Sequence, residues 1–411
     1  MSIHNRSISP SLLCASILEK YPRLWAGTHY LKMCLVLLLF FLIMNLIACM
    51  GPDRPTGGLG PALQWKELPG WGADNHSETW QALLKNCQAM SNKPKWGIIC
   101  EHASLLNAPS DQQAREFFEA YFTVKKINPG VDDKPDGLIT GYYEPILNGS
   151  LKKTKQFQYP VYKRPEDLLI VELSGLYSEL KGKRVRARID SRNRVVPYFD
   201  RAAIDGHEQP LRGKEIAWVD DMVALFFTHI QGSARIRLRN GRLLSIGYRD
   251  QNGHPYYAIG RTLIENGNVA LEDMSMQAIR QWLLDNPQKV NDLLNQNSSY
   301  IFFEERENKN DDGPLGSLGV ALTARRSVAV DPRSIPMGSP IWLSTQLPKL
   351  PNALNKNQEE NSFSHLVFAQ DTGGAIKGNA RADLFWGSGE QAEYYAGKMR
   401  QSGLLYLLIP K

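Results

Sequence analysis

From Gly137 to about residue 270 the chain reads as short β-prone runs broken by turn residues. The run Gly137-Leu138-Ile139-Thr140-Gly141-Tyr142-Tyr143-Glu144-Pro145 opens the series. Val161-Tyr162, Arg184 to Ile189, Arg235 to Arg239 and Leu244 to Tyr248 continue it, and Asn240-Gly241 is a hairpin signal between the last two. Regular short strands of this kind predict a small barrel or sandwich. The flanks differ. Residues 75–126 have helical spacing, with Trp80, Leu83, Leu84 and Cys87 in one apolar set and Phe117, Phe118, Tyr121 and Phe122 in another. Helix returns over 272–295, opened by Glu272-Asp273, with Ala278, Ile279, Trp282 and Leu283 on its apolar face. A strand at 300–303, a charged loop at 304–312 and a mostly β C-terminal stretch follow, interrupted by a polar insertion at 348–363. Mixed flanks around an all-β middle predict one domain inserted into another, with a cleft at the junction. The 411 residues suffice for two such domains.

The N-terminal region reads as an export leader. Residues 34–46 (CLVLLLFFLIMNL) are uncharged and follow Lys32. That run is short for a membrane span, which needs roughly 20 residues, and suits the apolar core of a signal peptide. Leu46-Ile47-Ala48-Cys49 resembles a bacterial lipobox, which makes Cys49 the lipidation candidate and the lipid bilayer a partner. An uncleaved signal anchor is the alternative. A Gly/Pro-rich tether follows, and Met50 after the cysteine points to the outer membrane in a Gram-negative host. Residues 1–48 hold four cations and one acid, half of the formal charge of +6, and the remainder is too small to argue for nucleic acid. Cys87 and Cys100 remain beyond the leader, and an exported compartment permits a disulfide between them; two buried free thiols are the alternative. The scattered histidines suggest no metal, and no cofactor is implied.

Chemistry concentrates near the C-terminus. In AQDTGGAIKGNARADLFWG, Asp371 ends an apolar run, Thr372-Gly373-Gly374 turns the chain, and Asp383 follows twelve residues later. Two carboxylates on runs joined by tight turns can converge on one cleft, and glycines let backbone or ligand approach. Spacing does not rank the two. Gly373, Gly374 and Lys377 are candidate charge stabilisers, and Lys377 equally fits a solvated lysine. Gln231-Gly232-Ser233, just past an apolar strand expected at Phe226 to Ile230, suits sugar hydroxyls or a polar turn. Tyr142 and Tyr143 offer aromatic faces to a sugar and also fit a buried core. Asp331 before Pro332 reads as a turn carboxylate holding backbone amides.

Together, DPRSIPMGSPIWL, AQDTGGAIKG and RADLFWG resemble the three-aspartate barrel domain. With GYYEP, IQGSA, NGHPYYAIG and EDMSMQAIRQW in order, residues 75–411 resemble the membrane-bound lytic murein transglycosylase A family. The resemblance implies a mainly β fold with flanking helices: a double-psi β-barrel domain (75–145 and 271–411) with a smaller β-barrel domain (146–270) inserted, after a signal peptide (1–48) and a tether (49–74). It implies peptidoglycan glycan strands as substrate, cut between N-acetylmuramic acid and N-acetylglucosamine without water, the muramic C6 hydroxyl closing a 1,6-anhydro ring. Asp383 matches the acid/base of that family and Asp371 the supporting aspartate. Wall-synthesis proteins are implied as partners by family alone. The rival readings are a non-catalytic wall-binding or wall-loosening module and a hydrolytic glycosidase. The latter needs a second carboxylate from among Asp371, Asp331 and Glu144.

Overall fold

The computed structural model describes residues 58–130, 137–183, 185–307, 313–349 and 362–411. Cys49, the leader and most of the polar 348–363 stretch lie outside these residues. Six strands pair into a closed ring: Gly137–Glu144, Arg400–Pro410, Pro340–Gln346, Ser362–Asp371, Ser327–Val330 and Arg381–Ser388, which returns to Gly137–Glu144. Closure leaves these strands no free edge. The far end of Arg400–Pro410 carries a spur, Phe122–Asn128 and then Gly58–Leu63.

The ring strands read as continuous apolar runs because both faces are covered. Along Ser362–Asp371, Val367 and Ala369 point into the ring interior with Val328, Ile341 and Leu384, while Leu366 and Phe368 pack against helices Trp80–Met90 and Asp111–Tyr121. A disulfide joins Cys87 in the first of these helices to Cys100 in helix Trp96–Leu105. Asp74 fastens the N-terminal segment to the ring. Its buried carboxylate accepts from Arg326 at 2.8 and 3.0 Å and from the Leu366 amide at 3.0 Å, and it contacts His365 Nδ1 at 2.5 Å.

After Pro145 the chain leaves the ring and builds a second sheet, ordered Ile301–Arg306, Leu243–Gln251, Ser233–Leu238, Ile146–Ser150, Glu215–Val219 and Tyr159–Tyr162. A bridge between Lys163 and Phe303 brings its two edges together. Segment 146–270 does not complete this sheet alone, because one edge strand comes from Ile301–Arg306. A small third sheet, Leu169–Ile170, Arg186–Ile189 and Val195–Pro197, stands beside it.

The middle is not all β. Phe226 to Ile230 belongs to helix Met222–Gln231 rather than a strand. Asp221 caps it by accepting from the Ala224 amide, and Gly232 ends it at φ +82°. A short, continuous apolar run carries no period by which to tell helix from strand. The later helix starts at Met276, capped by Ser275, so Glu272-Asp273 lie before it. Strand Phe122–Asn128 takes in residues 122–126, where helical spacing is expected, and 304–306 extend a strand where a loop is. Among the described residues, no helix is long and apolar enough to cross a membrane.

Candidate active site

Asp371 and Asp383 sit on different strands yet lie level with the same residue. Ala329 pairs with Asp371 across one neighbour and with Asp383 across the other. Asp383 in turn pairs with Thr140. Residues opposite one another in a sheet share a face, so Thr140, Asp383, Ala329 and Asp371 form one row. Two strand spacings separate the aspartate backbones, on the order of 10 Å. Ala329, between them, is buried in a cluster with Tyr142, Leu322, Ile376 and Phe385.

The two carboxylates are held differently. Asp371 Oδ1 accepts from the Ser317 amide and hydroxyl, both at 2.9 Å, and from the Thr372 amide at 2.8 Å; Oδ2 accepts from the Tyr142 hydroxyl at 3.0 Å. Burial pushes its pKa up, and these donors pull it back. The net direction stays upward, because burial outweighs the donors. Asp383 has a sparser shell. Thr140 Oγ1 donates to its Oδ1 at 2.5 Å, and Arg381 Nη2 donates to Thr140 Oγ1 at 2.8 Å. A hydroxyl has one proton, and the arginine's donation directs that proton toward Asp383. Oδ2 has no protein donor among the described residues. Burial pushes the Asp383 pKa up; Arg381 and Thr140 oppose it, and the charge on Asp371 adds to it.

These placements follow from strand period. Tyr142 and Phe385 lie two residues beyond Thr140 and Asp383, and their rings meet at 5.3 Å on the row's face. Tyr143 and Trp386 point the other way, into the ring interior, so Tyr143 offers no face to the cleft and Trp386 does not flank Asp383. A Cβ on Gly141 would stand 2.7 Å from the Trp386 indole nitrogen, which accounts for the glycine. Asp331 latches the loop between the aspartates. It accepts from the Arg333 and Gly378 amides and from the Arg333 guanidinium, which holds its pKa well below the usual range. Gly378, at φ +108°, supplies the left-handed backbone this latch needs.

A cavity of about 1050 Å³ opens between the ring and the inserted sheets. Tyr142, Asp371, Gly373, Gly374 and Lys377 line it from one side, and Gln231, Gly232 and Ser233 from the other. Gln231 Oε1 also accepts from the Tyr143 amide at 3.0 Å, tying the end of helix Met222–Gln231 to the strand that carries Thr140. Asp383 lies two row positions beyond Asp371, outside the residues that line the cavity, and keeps part of its surface exposed. Glu144 is buried against Arg235 at 2.7 Å. No group of three or more metal-ligating side chains gathers among the described residues. Thr140, Arg381, Ser317 and Ala329 escape sequence reasoning. The only signal for Thr140 and Arg381 is their period-two spacing, to Tyr142 within GLITGYYE and to Asp383 within RADLF.

Comparison with known proteins agrees with this architecture. A family model for the MltA specific insert domain matches residues 138–304, and one for the 3D domain matches residues 326–409. The chain is 32% identical over 283 residues to a membrane-bound lytic murein transglycosylase A homolog of Buchnera aphidicola, covering 68% of each chain. It is similar to a crystal structure of membrane-bound lytic murein transglycosylase from Agrobacterium tumefaciens, with a TM-score of 0.74, 32% identity and coverage of 86% and 98%. It is also similar to Escherichia coli MltA with bound chitohexaose, with a TM-score of 0.62, 25% identity and coverage of 88% and 96%. By its two matched domains and its curated relatives, the chain belongs to the membrane-bound lytic murein transglycosylase A family.

Proposed function

We propose that this chain is a lytic transglycosylase. It cleaves the β-1,4 bond between N-acetylmuramic acid and N-acetylglucosamine in peptidoglycan and leaves 1,6-anhydromuramic ends. The observation that carries this reading is the inequality of the two aspartates. Burial pushes both pKa values up, but Asp371 is saturated by fixed donors, while Asp383 keeps one oxygen without a protein donor among the described residues. A single protonatable carboxylate suits a reaction that needs only one proton-transfer group.

In the proposed cycle, Asp383 Oδ2 donates its proton to the leaving O4 as the C1–O4 bond breaks. The resulting carboxylate takes the proton of the muramic C6 hydroxyl, whose oxygen bonds to C1. The proton count closes and no water is consumed. Thr140 steadies the carboxylate between the two transfers, and Arg381 orients Thr140. Holding C6 and C1 of one sugar in register supplies the proximity term, up to several kcal/mol.

The hydrolytic alternative requires a second free carboxylate to activate water. Its three candidates are each engaged: Asp371 by four donors, Asp331 by Arg333 and Gly378, and Glu144 by Arg235. The membrane-bound relatives support membrane association. Acylation of Cys49, and seating at the periplasmic face of the outer membrane, form the finer part of the proposal. Digestion of purified sacculi, with mass analysis of the ends, tests the whole reading; reducing ends in place of anhydro ends would reject it.

A further inference from the structure

The cleft is charged asymmetrically. Its walls carry Lys183, Arg186, Arg306 and Lys377 against the single carboxylate of Asp371. Two of these cations are held in ion pairs, Arg186 with Asp250 at 2.9 Å and Arg306 with Glu304 at 3.4 Å, each carboxylate being shared with a second arginine. The other two are exposed lysines, and neither enters an ion pair among the described residues. They come from opposite walls. Lys377 lies in the loop between the aspartates. Lys183 lies on the insert, at the start of a basic stretch that continues into the hairpin of Arg186–Ile189 and Val195–Pro197, where Arg192 is also exposed.

Ring hydroxyls and acetamides carry no charge, so a plain glycan backbone offers these lysines nothing to pair with. Carboxylates enter a glycan strand from the muramic residue. They come either from its free lactyl group or from a peptide attached there. We propose that Lys183 and Lys377 read such carboxylates across the cleft and select muramic strands over neutral glycans. This inference rests on the cleft being the glycan site. Exposed ion pairs are individually weak, so the lysines act as a selectivity device that added salt screens.

The test uses the full chain carrying Asp383→Asn, to prevent turnover, with and without Lys183→Glu. Binding is measured to neutral chitohexaose, to stem-free strands with free lactyl carboxylates, and to stem-bearing strands. Charge reversal is expected to weaken binding of the carboxylate-bearing strands by roughly 3- to 10-fold, within what one exposed ion pair and its reversal support, and to leave chitohexaose unchanged. Loss confined to stem-free strands assigns the reading to the lactyl group, and loss confined to stem-bearing strands assigns it to the peptide. Equal loss on all three ligands, or loss on none, overturns the proposal. Anhydro ends produced by the native chain are scored in parallel, so failure of the catalytic reading shows separately.

Discussion

Replacing Thr140 with valine removes one hydroxyl and keeps the branched shape. That hydroxyl donates to Asp383 Oδ1 at 2.5 Å and accepts from Arg381 Nη2 at 2.8 Å. A hydrogen bond to an ionised group contributes about 1.5–3 kcal/mol, which is about 1–2 pKa units at 1.36 kcal/mol per unit. Thr140 donates to the ionised form of Asp383 and so lowers its pKa. Without it the pKa rises further. Arg381 does not readily take its place, because Nη1 is held by the Ala382 carbonyl at 2.6 Å and the Leu138 carbonyl at 3.3 Å. The first step needs protonated Asp383, so the high-pH limb of kcat/KM moves upward by about 1–2 units. The plateau falls as well, since the carboxylate loses its orienting partner. The assay is release of anhydro muropeptides from sacculi across pH, with Thr140→Ser as the variant that restores the native limb. A limb that stays in place or moves to lower pH in Thr140→Val refutes this assignment.

Asp371→Asn removes the charge that raises Asp383, so the same limb moves to lower pH, opposite in sign to Thr140→Val; activity falls too, because an amide cannot satisfy all four donors. Asp74→Ala leaves the buried Arg326 with only the exposed Glu78 as its ion-pair partner and costs about 3 kcal/mol in urea unfolding, the low end for a broken buried pair. Asp74 is held well below the usual carboxylate range, so its contribution is present at neutral pH and is lost in strong acid, as pH falls through its folded-state pKa. Cys87→Ser opens a bridge between residues 13 apart and costs about 3 kcal/mol, an effect that reductant reproduces on the native chain.

The fold was legible where residue type and local period agree. The apolar runs around Ile341 and Leu366 are strands whose β-prone residues are buried on both faces, and GLITGYYE is a strand that keeps Leu138 exposed. Helix Met222–Gln231 was not legible, since its apolar residues Met222 to Phe227 are consecutive and show no period. The insert's far boundary was obscure for a different reason: its closing strand lies some fifty residues beyond the preceding one, and pairing at that range leaves no local mark. In the site, residue type and spacing found Asp371 and Asp383. Their ranking depends on Ser317, Thr140 and Arg381, which reach the carboxylates only after the ring closes.

The central claim is that Asp383 alone moves the proton in a reaction that spends no water. Asp383→Asn keeps the shape of the side chain and removes its acid. Sacculi incubated with the native chain and with this variant, then digested to muropeptides and weighed, give the most direct reading. The account predicts anhydro ends, about 18 Da lighter than the reducing ends of hydrolysis, from the native chain and none from a folded Asp383→Asn. Native products with reducing ends, or substantial anhydro release by the variant, would contradict it.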